Sequence, residues 1–208
     1  MKYLPRIADQ ELSLRLRSVG ATLIVGPKWC GKTTTAKQYA KSVIEMQDPD
    51  LQEGYLKLAE TKPSLLLQGE KPRLIDEWQL APVLWDAVRV SVDRSSEKGQ
   101  YILTGSVIKD DSKTKHTGTG RISRLEMLPM SLFESEESSG MVSLSKLFAN
   151  PGLDIDGVTG KLSIEELLFA ASRGGWPSAL RKKWDQASHS CRRAWSPVVN
   201  RRNRSEST

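Results

Sequence analysis

The sequence has few cysteines and lacks long apolar runs. Of its 208 residues only Cys30 and Cys191 are cysteines, and neither lies in the spacing of metal-binding cysteines. A disulfide between them is not expected in a reducing compartment. No segment approaches the roughly 18 apolar residues of a membrane helix, and the first ten residues lack the apolar core of a signal peptide. These absences predict a cytoplasmic protein with no membrane partner.

The chain also has no excess charge over most of its length. Its net charge is +6, and the whole excess lies after Leu180. The remainder is neutral and gives no electrostatic indication of nucleic-acid binding. The basic segment 181–208 has few aliphatic residues, so we expect it to be disordered and to bind nucleic acid, if at all, only through phosphates.

The most informative stretch is Thr22 to Lys37, TLIVGPKWCGKTTTAK. It contains the P-loop pattern G-x-x-x-x-G-K-T, preceded by strand-like apolar residues and followed by a run of helical composition. Such a loop binds nucleotide phosphates through backbone N–H groups at a helix start. We expect Lys32 to reach the β- and γ-phosphates and the Thr33 hydroxyl to bind Mg²⁺. The predicted ATP-binding residues are Gly26, Pro27, Lys28, Trp29, Cys30, Gly31, Lys32, Thr33 and Thr34.

Cys30 lies inside this loop and has two interpretations. At a helix start beside Lys28 and Lys32 its thiol would have a lowered pKa and would be sensitive to oxidation. Alternatively, it is a passive loop residue.

A second motif, Arg73 to Glu77 (RLIDE), is a short apolar run that ends in two carboxylates, as in a Walker B motif. Asp76 would hold Mg²⁺ through water, and Glu77 would orient and deprotonate the attacking water. The alternative is that the two acids only begin a helix. The occurrence of both motifs in one chain favours nucleotide binding.

Strand and helix patterns alternate along the first part of the chain, which predicts an α/β P-loop fold. The predicted strands are Thr22–Val25, Val43–Gln47, Arg73–Asp76, Gln100–Thr104 and Ile122–Met127. The predicted helices are Tyr3–Val19, a helix from the P-loop to about Ser42, Asp50–Glu60, Pro82–Val92, Ser143–Ala149 and one that begins at the capping box Ser163–Glu166 and stops at Gly174. Ser64–Leu67 is of uncertain type, Asp110–Gly120 is expected to be a mobile loop, and a domain boundary is predicted near Leu128.

Four segments together resemble bacterial and archaeal ATPases of the AAA+ superfamily: LIVGPKWCGKTTTAKQYA, LIDEWQ, QYILTGS and GTGRISRLEMLPMSL. The resemblance implies a three-layer sandwich around a five-stranded parallel sheet in the order 5-1-4-3-2. It also implies an ATPase core at 1–128 and a small mostly helical region at 129–180, which normally leads to a large C-terminal domain. We therefore expect a chain truncated after the core, with 181–208 as a basic tail.

The resemblance also suggests further catalytic residues. AAA+ ATPases place a polar side chain at the tip of the strand beside Walker B, where it hydrogen-bonds the attacking water or the γ-phosphate; Thr104 and Ser106 are the candidates. Alternatively, Thr104 and Ser106 only begin a turn after the strand. Arg121 or Arg124 would be an arginine finger or sensor that neutralises transition-state charge, unless they are ordinary surface arginines. A finger supplied by a neighbouring subunit would require a homo-oligomer.

Three functions fit these patterns. The first is a Mg²⁺-dependent ATPase whose hydrolysis drives a conformational change in an attached domain or partner. The second is a nucleotide-dependent switch or scaffold with little turnover. The third is a P-loop kinase that phosphorylates a small molecule. Glu77 beside Asp76 favours water as the acceptor and therefore an ATPase.

Overall fold

The computed structural model describes residues 2–106 and 120–180. The described residues form two compact units, one from Tyr3 to Leu128 and a second that begins at Pro129. The predicted mobile loop, apart from Gly120, and the predicted basic tail lie outside the described residues. No helix in the described part of the chain combines the length and the apolar character that crossing a membrane requires.

The first unit is built on a parallel sheet of five strands. The strands are β1 (Ala21–Gly26), β2 (Ser42–Glu45), β3 (Arg73–Asp76), β4 (Tyr101–Ser106) and β5 (Ile122–Glu126). Their order across the sheet is β5-β1-β4-β3-β2, which confirms the order that the resemblance implied. Because all strands are parallel, their carboxyl ends lie at one edge, where α/β folds bind ligands.

Helices cover both faces of this sheet. In the first unit they are α1 (Ile7–Ser18), α2 (Lys32–Lys37), α3 (Gln52–Thr61) and α4 (Val83–Ser95), with short 3₁₀ helices at Pro63–Leu65 and Trp78–Leu80. On one face Leu12 of α1 and Ala36 of α2 pack with Ile24, Ile102 and Leu125. On the other face the core contains Ala59, Leu84, Val88, Ile75 and Leu103. The result is the predicted three-layer α/β sandwich.

The predicted length of the helix after the P-loop was wrong. Helix α2 has six residues and ends at Lys37 rather than near Ser42. Ser42 instead begins β2 and is paired with Arg73 of β3. The helix contains three consecutive threonines, which have low helix propensity, and the chain turns after Lys37 before Ser42 enters the sheet.

In its described residues the second unit contains two helices, α5 (Leu144–Ala149) and α6 (Ile164–Arg173). Helix α6 begins at the predicted capping box, in which Ser163 Oγ accepts from the backbone N–H of Glu166 at 3.2 Å. Arg173 at its end is buried and forms a bidentate ion pair with Glu137. Nη1 donates to Oε1 at 2.9 Å, and Nη2 donates to Oε2 at 2.7 Å. This pair fixes the end of α6 to the segment that follows Pro129.

Candidate nucleotide-binding site

The P-loop connects the end of β1 to the start of α2 at the carboxyl edge of the sheet. Two of its residues must be glycine for different reasons. A Cβ on Gly26 would lie 2.0 Å from the backbone oxygen of Met127, so no larger residue fits there. Gly31 has φ 103°, a left-handed conformation that side chains disfavour. The loop therefore turns tightly and enters α2 at Lys32.

Lys32 is buried, with 5% of its surface exposed. Its Nζ donates hydrogen bonds to the backbone oxygens of Gly26 at 3.1 Å and Pro27 at 2.9 Å. Among the described residues it forms no ion pair with a carboxylate. A buried ammonium without a negative partner is costly, and an anion at this place would offset that cost.

The backbone amides that follow are also available to an anion. In the described part of the chain, the N–H groups of the run 31–34 donate to no backbone carbonyl, whereas the N–H of Thr35 donates to the oxygen of Gly31 at 2.9 Å. Unpaired amides at such a turn are the donors that a phosphate accepts from.

The two sequence motifs meet at one carboxylate oxygen. Thr33 Oγ1 donates to Asp76 Oδ1 at 2.7 Å. Thr104 Oγ1 also donates to Asp76 Oδ1, and Thr104 is completely buried in the middle of the sheet. The sheet register explains this meeting, because Asp76 at the end of β3 pairs with Thr104 of β4. The structure therefore brings together three residues that are distant in the sequence.

Glu77 is the residue before the short 3₁₀ helix Trp78–Leu80, as the helix-start alternative requires, although no side chain caps that helix. The Asp76 carboxylate accepts hydrogen bonds from hydroxyl groups. Thr104 lies within β4 and does not open a turn. Ser106 is the last residue of β4 and pairs with Gly26, and its side chain lies outside the described structure.

Glu77 follows Asp76 in a left-handed backbone conformation, φ 56° and ψ 46°. A non-glycine residue in this region is strained, and such strain is concentrated at functional sites. Its backbone N–H points to Thr104 Oγ1 at 3.4 Å, and its Oε2 accepts a hydrogen bond from Gln79 Nε2. Sequence reasoning missed Gln79, since nothing in the segment WQL indicates that its amide reaches back to Glu77.

Cys30 is buried in the loop, and its Sγ lies 3.4 Å from the backbone oxygen of Met127. Burial raises the pKa of the thiol, and the smaller effects of Lys32 and Arg6 do not reverse this. The interpretation as a low-pKa, oxidation-sensitive thiol is therefore wrong, because loss of hydration outweighs the nearby positive charges. Cys191 lies outside the described residues.

Trp29 is exposed in this loop, with 55% of its surface accessible, and it has φ 65°. Lys28 Nζ lies 5.3 Å from the centre of its ring. Pro27 contributes its carbonyl oxygen to Lys32, and Thr34 follows Thr33 in the first turn of α2. All nine predicted nucleotide-binding residues thus lie in one continuous loop and helix start.

The two predicted catalytic arginines lie away from this loop within the chain. Arg121 precedes β5, and because Ala21 pairs with Ile122, Arg121 lies near the amino end of β1. That end is roughly 20 Å from Gly26 at about 3.3 Å per strand residue. Arg121 forms an ion pair with Asp93 of α4 instead. Arg124 is exposed midway along β5, where it pairs with Leu23. The structure does not bring either arginine to the P-loop of its own chain.

Comparison with known proteins gives a family for this arrangement. A family model described as "AAA domain" matches residues 18–136. A comparison with curated proteins found no relative. Similar solved structures are Thermotoga maritima RuvB T158V (17% identity, TM-score 0.39, covering 62% of this chain and 47% of that chain), the FIGL-1 AAA domain in complex with ADP (16%, 0.35, 62% and 54%) and C. elegans PCH-2 (17%, 0.33, 76% and 48%). The chain spans about half the length of each of these structures.

The matched residues contain the P-loop, Asp76, Glu77 and Thr104, together with the parallel sheet that holds them. They make up more than half of the chain. The chain therefore belongs to the AAA domain family, within the AAA+ superfamily of nucleotide-binding ATPases.

Proposed function

We propose that this protein binds ATP and hydrolyses it with Mg²⁺ to drive a conformational change in an attached domain or partner. The observation that carries the proposal is the hydrogen bond between Thr33 and Asp76, 2.7 Å long, in a loop where the preceding residue, Lys32, is buried. It places a hydroxyl, a carboxylate and a cation from two motifs around one loop.

Binding rests on charge and on backbone donors. Lys32 would exchange its two carbonyl partners for phosphate oxygens, which offer a negative charge as well as acceptors. The N–H groups of 31–34 would supply further donors along the loop.

The oxygen atoms of Thr33 and Asp76 fit a magnesium ion, which prefers hard oxygen ligands. Within the described ranges there is no cluster of three or more His, Cys, Asp or Glu that could enclose a metal. A site with few protein ligands suits Mg²⁺, which is held by one or two carboxylates together with substrate phosphates. When bound, the ion would neutralise charge on the phosphate oxygens.

Hydrolysis requires a base for the attacking water. Glu77 would accept a proton as the water oxygen bonds to the γ-phosphorus and the bond to the bridging oxygen breaks, which releases ADP and phosphate. Thr104 would hold Asp76 and the Glu77 backbone in place. Water as acceptor separates this reaction from that of a small-molecule kinase.

Coupling to a partner is supported by the second unit, which exposes large apolar side chains. Phe148 is 84% exposed, and Leu144 and Ile164 are each 74% exposed. Apolar surface of this kind is typical of contact with another domain or protein.

A slowly hydrolysing switch is the second candidate, and the contact between Gln79 and Glu77 favours it. An amide that holds the carboxylate of the base would slow proton transfer until a partner releases it. Both candidates bind ATP equally well, and they differ in turnover.

Phosphate release from ATP without any acceptor substrate tests the proposal. An ATPase releases phosphate with Mg²⁺ and stops with excess EDTA. ADP formation that requires a small-molecule acceptor, and that yields a phosphorylated acceptor instead of free phosphate, would indicate the kinase. ATP binding with negligible ADP formation would indicate the switch. Repeating the assay with duplex DNA tests whether nucleic acid is the partner that the reaction serves.

A further inference from the structure

Arg6 precedes α1 and is almost completely buried, with 6% of its surface exposed. Its guanidinium connects two backbone carbonyls that are far apart in the sequence. Nη1 donates to the oxygen of Cys30 at 2.8 Å, and Nη2 donates to the oxygen of Leu128 at 2.7 Å. One side chain thus joins the P-loop to the segment that follows β5.

The contact with Cys30 has a consequence for the phosphate-binding amides. The peptide between Cys30 and Gly31 is planar and trans, so its C=O and N–H groups point in opposite directions. A donor that holds the Cys30 carbonyl on the Arg6 side directs the Gly31 N–H to the other side. That N–H is the first of the run of amides that donate to no backbone carbonyl in the described part of the chain.

Arg6 is itself held by a network at the start of the chain. Its backbone N–H donates to Asp9 Oδ2 at 2.7 Å, and Tyr3 donates its hydroxyl hydrogen to Asp9 Oδ1 at 2.7 Å. The Tyr3 oxygen also lies 3.0 Å from the hydroxyl of Thr35, a buried residue of α2. The segment 3–9 therefore contacts both the P-loop and the helix after it.

The Tyr3 hydroxyl is protonated at neutral pH. Its burial raises its pKa well above the ordinary value, so it keeps the hydrogen that Asp9 accepts.

We propose that Arg6 is a positioning residue that orients the peptide between Cys30 and Gly31 so that the P-loop amides face the nucleotide phosphates. The proposal rests on the proposed function, because it describes how the same site is shaped. It adds a residue that lies before the P-loop and outside both sequence motifs. The Arg6 guanidinium donates to two backbone carbonyls, so its proposed effect on binding is indirect.

The test compares Arg6→Lys and Arg6→Ala with the wild type and with Arg17→Ala, a change at an exposed position of α1. Lysine keeps the charge but lacks the fork that reaches two carbonyls. The probes are ADP and inorganic pyrophosphate, each measured by competition against a fluorescent ADP analogue. Circular dichroism without ligand reports the melting temperature of each variant.

We expect Arg6→Lys to lower the affinity for ADP and the affinity for pyrophosphate by the same factor. That factor should be about ten, as the loss of one charged hydrogen bond implies. Equal factors for both probes follow because both bind through phosphate. In Arg6→Ala, guanidinium at millimolar concentration should restore affinity by filling the vacated place. Arg17→Ala should bind as the wild type does.

Several outcomes would overturn the proposal. Unchanged affinity in Arg6→Lys and Arg6→Ala would show that the loop needs no such support. In a second such outcome, the affinity of the Arg6 variants falls only as far as their melting temperature falls, with no rescue by guanidinium. That result would show that Arg6 has a purely structural role. If the wild type bound neither probe, the proposed function itself would fail, and that result is separate because it does not involve the variants.

Discussion

The hydroxyl of Thr104 donates a hydrogen bond to the carboxylate oxygen of Asp76 that also accepts from Thr33. Thr104 lies in β4 between the strand that carries the P-loop and the strand that carries Asp76. The carboxylate is therefore held by two hydroxyl groups from different elements, and its orientation is fixed by the sheet. A preorganised carboxylate needs little rearrangement to hold a metal ion.

Replacing Thr104 by valine tests this arrangement, because valine has the same shape but no hydroxyl. We expect the free energy of unfolding to fall by about 1–2 kcal/mol, since Asp76 loses a buried donor. The Mg²⁺ concentration for half-maximal phosphate release should rise. Urea unfolding and a Mg²⁺ titration measure the two effects. Thr61→Val, at an exposed position, is the control, and equal behaviour of the two variants would contradict the prediction.

Removing the ammonium in Lys32→Ala should weaken ATP binding by at least about a hundredfold, because two charged hydrogen bonds to phosphate are lost. Isothermal titration calorimetry measures the affinity. Lys37→Ala is the matched control, since Lys37 lies on the same helix but forms an exposed ion pair with Glu45. Unchanged affinity in Lys32→Ala would rule out the P-loop as the binding site.

Glu77→Gln should bind ATP normally and hydrolyse it about 10² to 10⁴ times more slowly, the usual range for loss of a general base. Size and most hydrogen bonding are retained, so binding is spared. Asp76→Asn should in addition weaken the dependence on Mg²⁺. Glu70→Gln, an exposed residue before β3, serves as the control in the same phosphate-release assay. Wild-type turnover in Glu77→Gln would place the base elsewhere.

The ion pair of Glu137 with Arg173 should stabilise the second unit in a pH-dependent way. The hydrogen bond from Arg173 is the main cause that lowers the pKa of Glu137 below its ordinary value of 4.5. Stability from this pair is therefore present above about that pH and lost as pH falls through the lowered pKa. Glu137→Gln should weaken protection of α6 against hydrogen exchange by about 1–3 kcal/mol at pH 7, since it removes the carboxylate charge that accepts two hydrogen bonds from Arg173.

The difference in α6 protection between Glu137→Gln and the wild type should become smaller in acid, because Glu137 of the wild type is then neutral as well. Asp156→Asn, at an exposed position of the same unit, should change protection little at any pH. A difference between Glu137→Gln and the wild type that stayed constant down to about pH 3 would contradict an ionic origin.

An arginine supplied in trans predicts that specific activity rises with protein concentration. Arg124 is the better candidate, because Arg121 is engaged by Asp93 and the Arg124 side chain forms no hydrogen bond or ion pair with the described residues. Mixing Arg124→Ala with Lys32→Ala should then restore activity, since one subunit keeps the P-loop and the other keeps the finger. Constant activity on dilution and no restoration on mixing would indicate a site complete within one chain.

The sequence by itself determined the parts of the fold that depend on neighbouring residues. Strand, P-loop and helix follow one another because apolar β-branched residues, two glycines and a helical run are adjacent between Thr22 and Lys37. The start of α6 was predictable for the same reason, since a capping box involves residues three apart. Local patterns of this kind are therefore sufficient to locate the nucleotide-binding loop.

Tertiary structure decided the contacts between residues that are distant along the chain. The register of β3 against β4 brings Thr104 to Asp76, and no local pattern specifies a register. Burial raised the pKa of Cys30, and pairing with Arg73 put Ser42 in a strand instead of a helix. Arg6 reaches the P-loop only because α1 packs on the same face of the sheet as α2. Periodicity and spacing describe one segment at a time, whereas burial, register and long side-chain contacts arise only when the segments pack together.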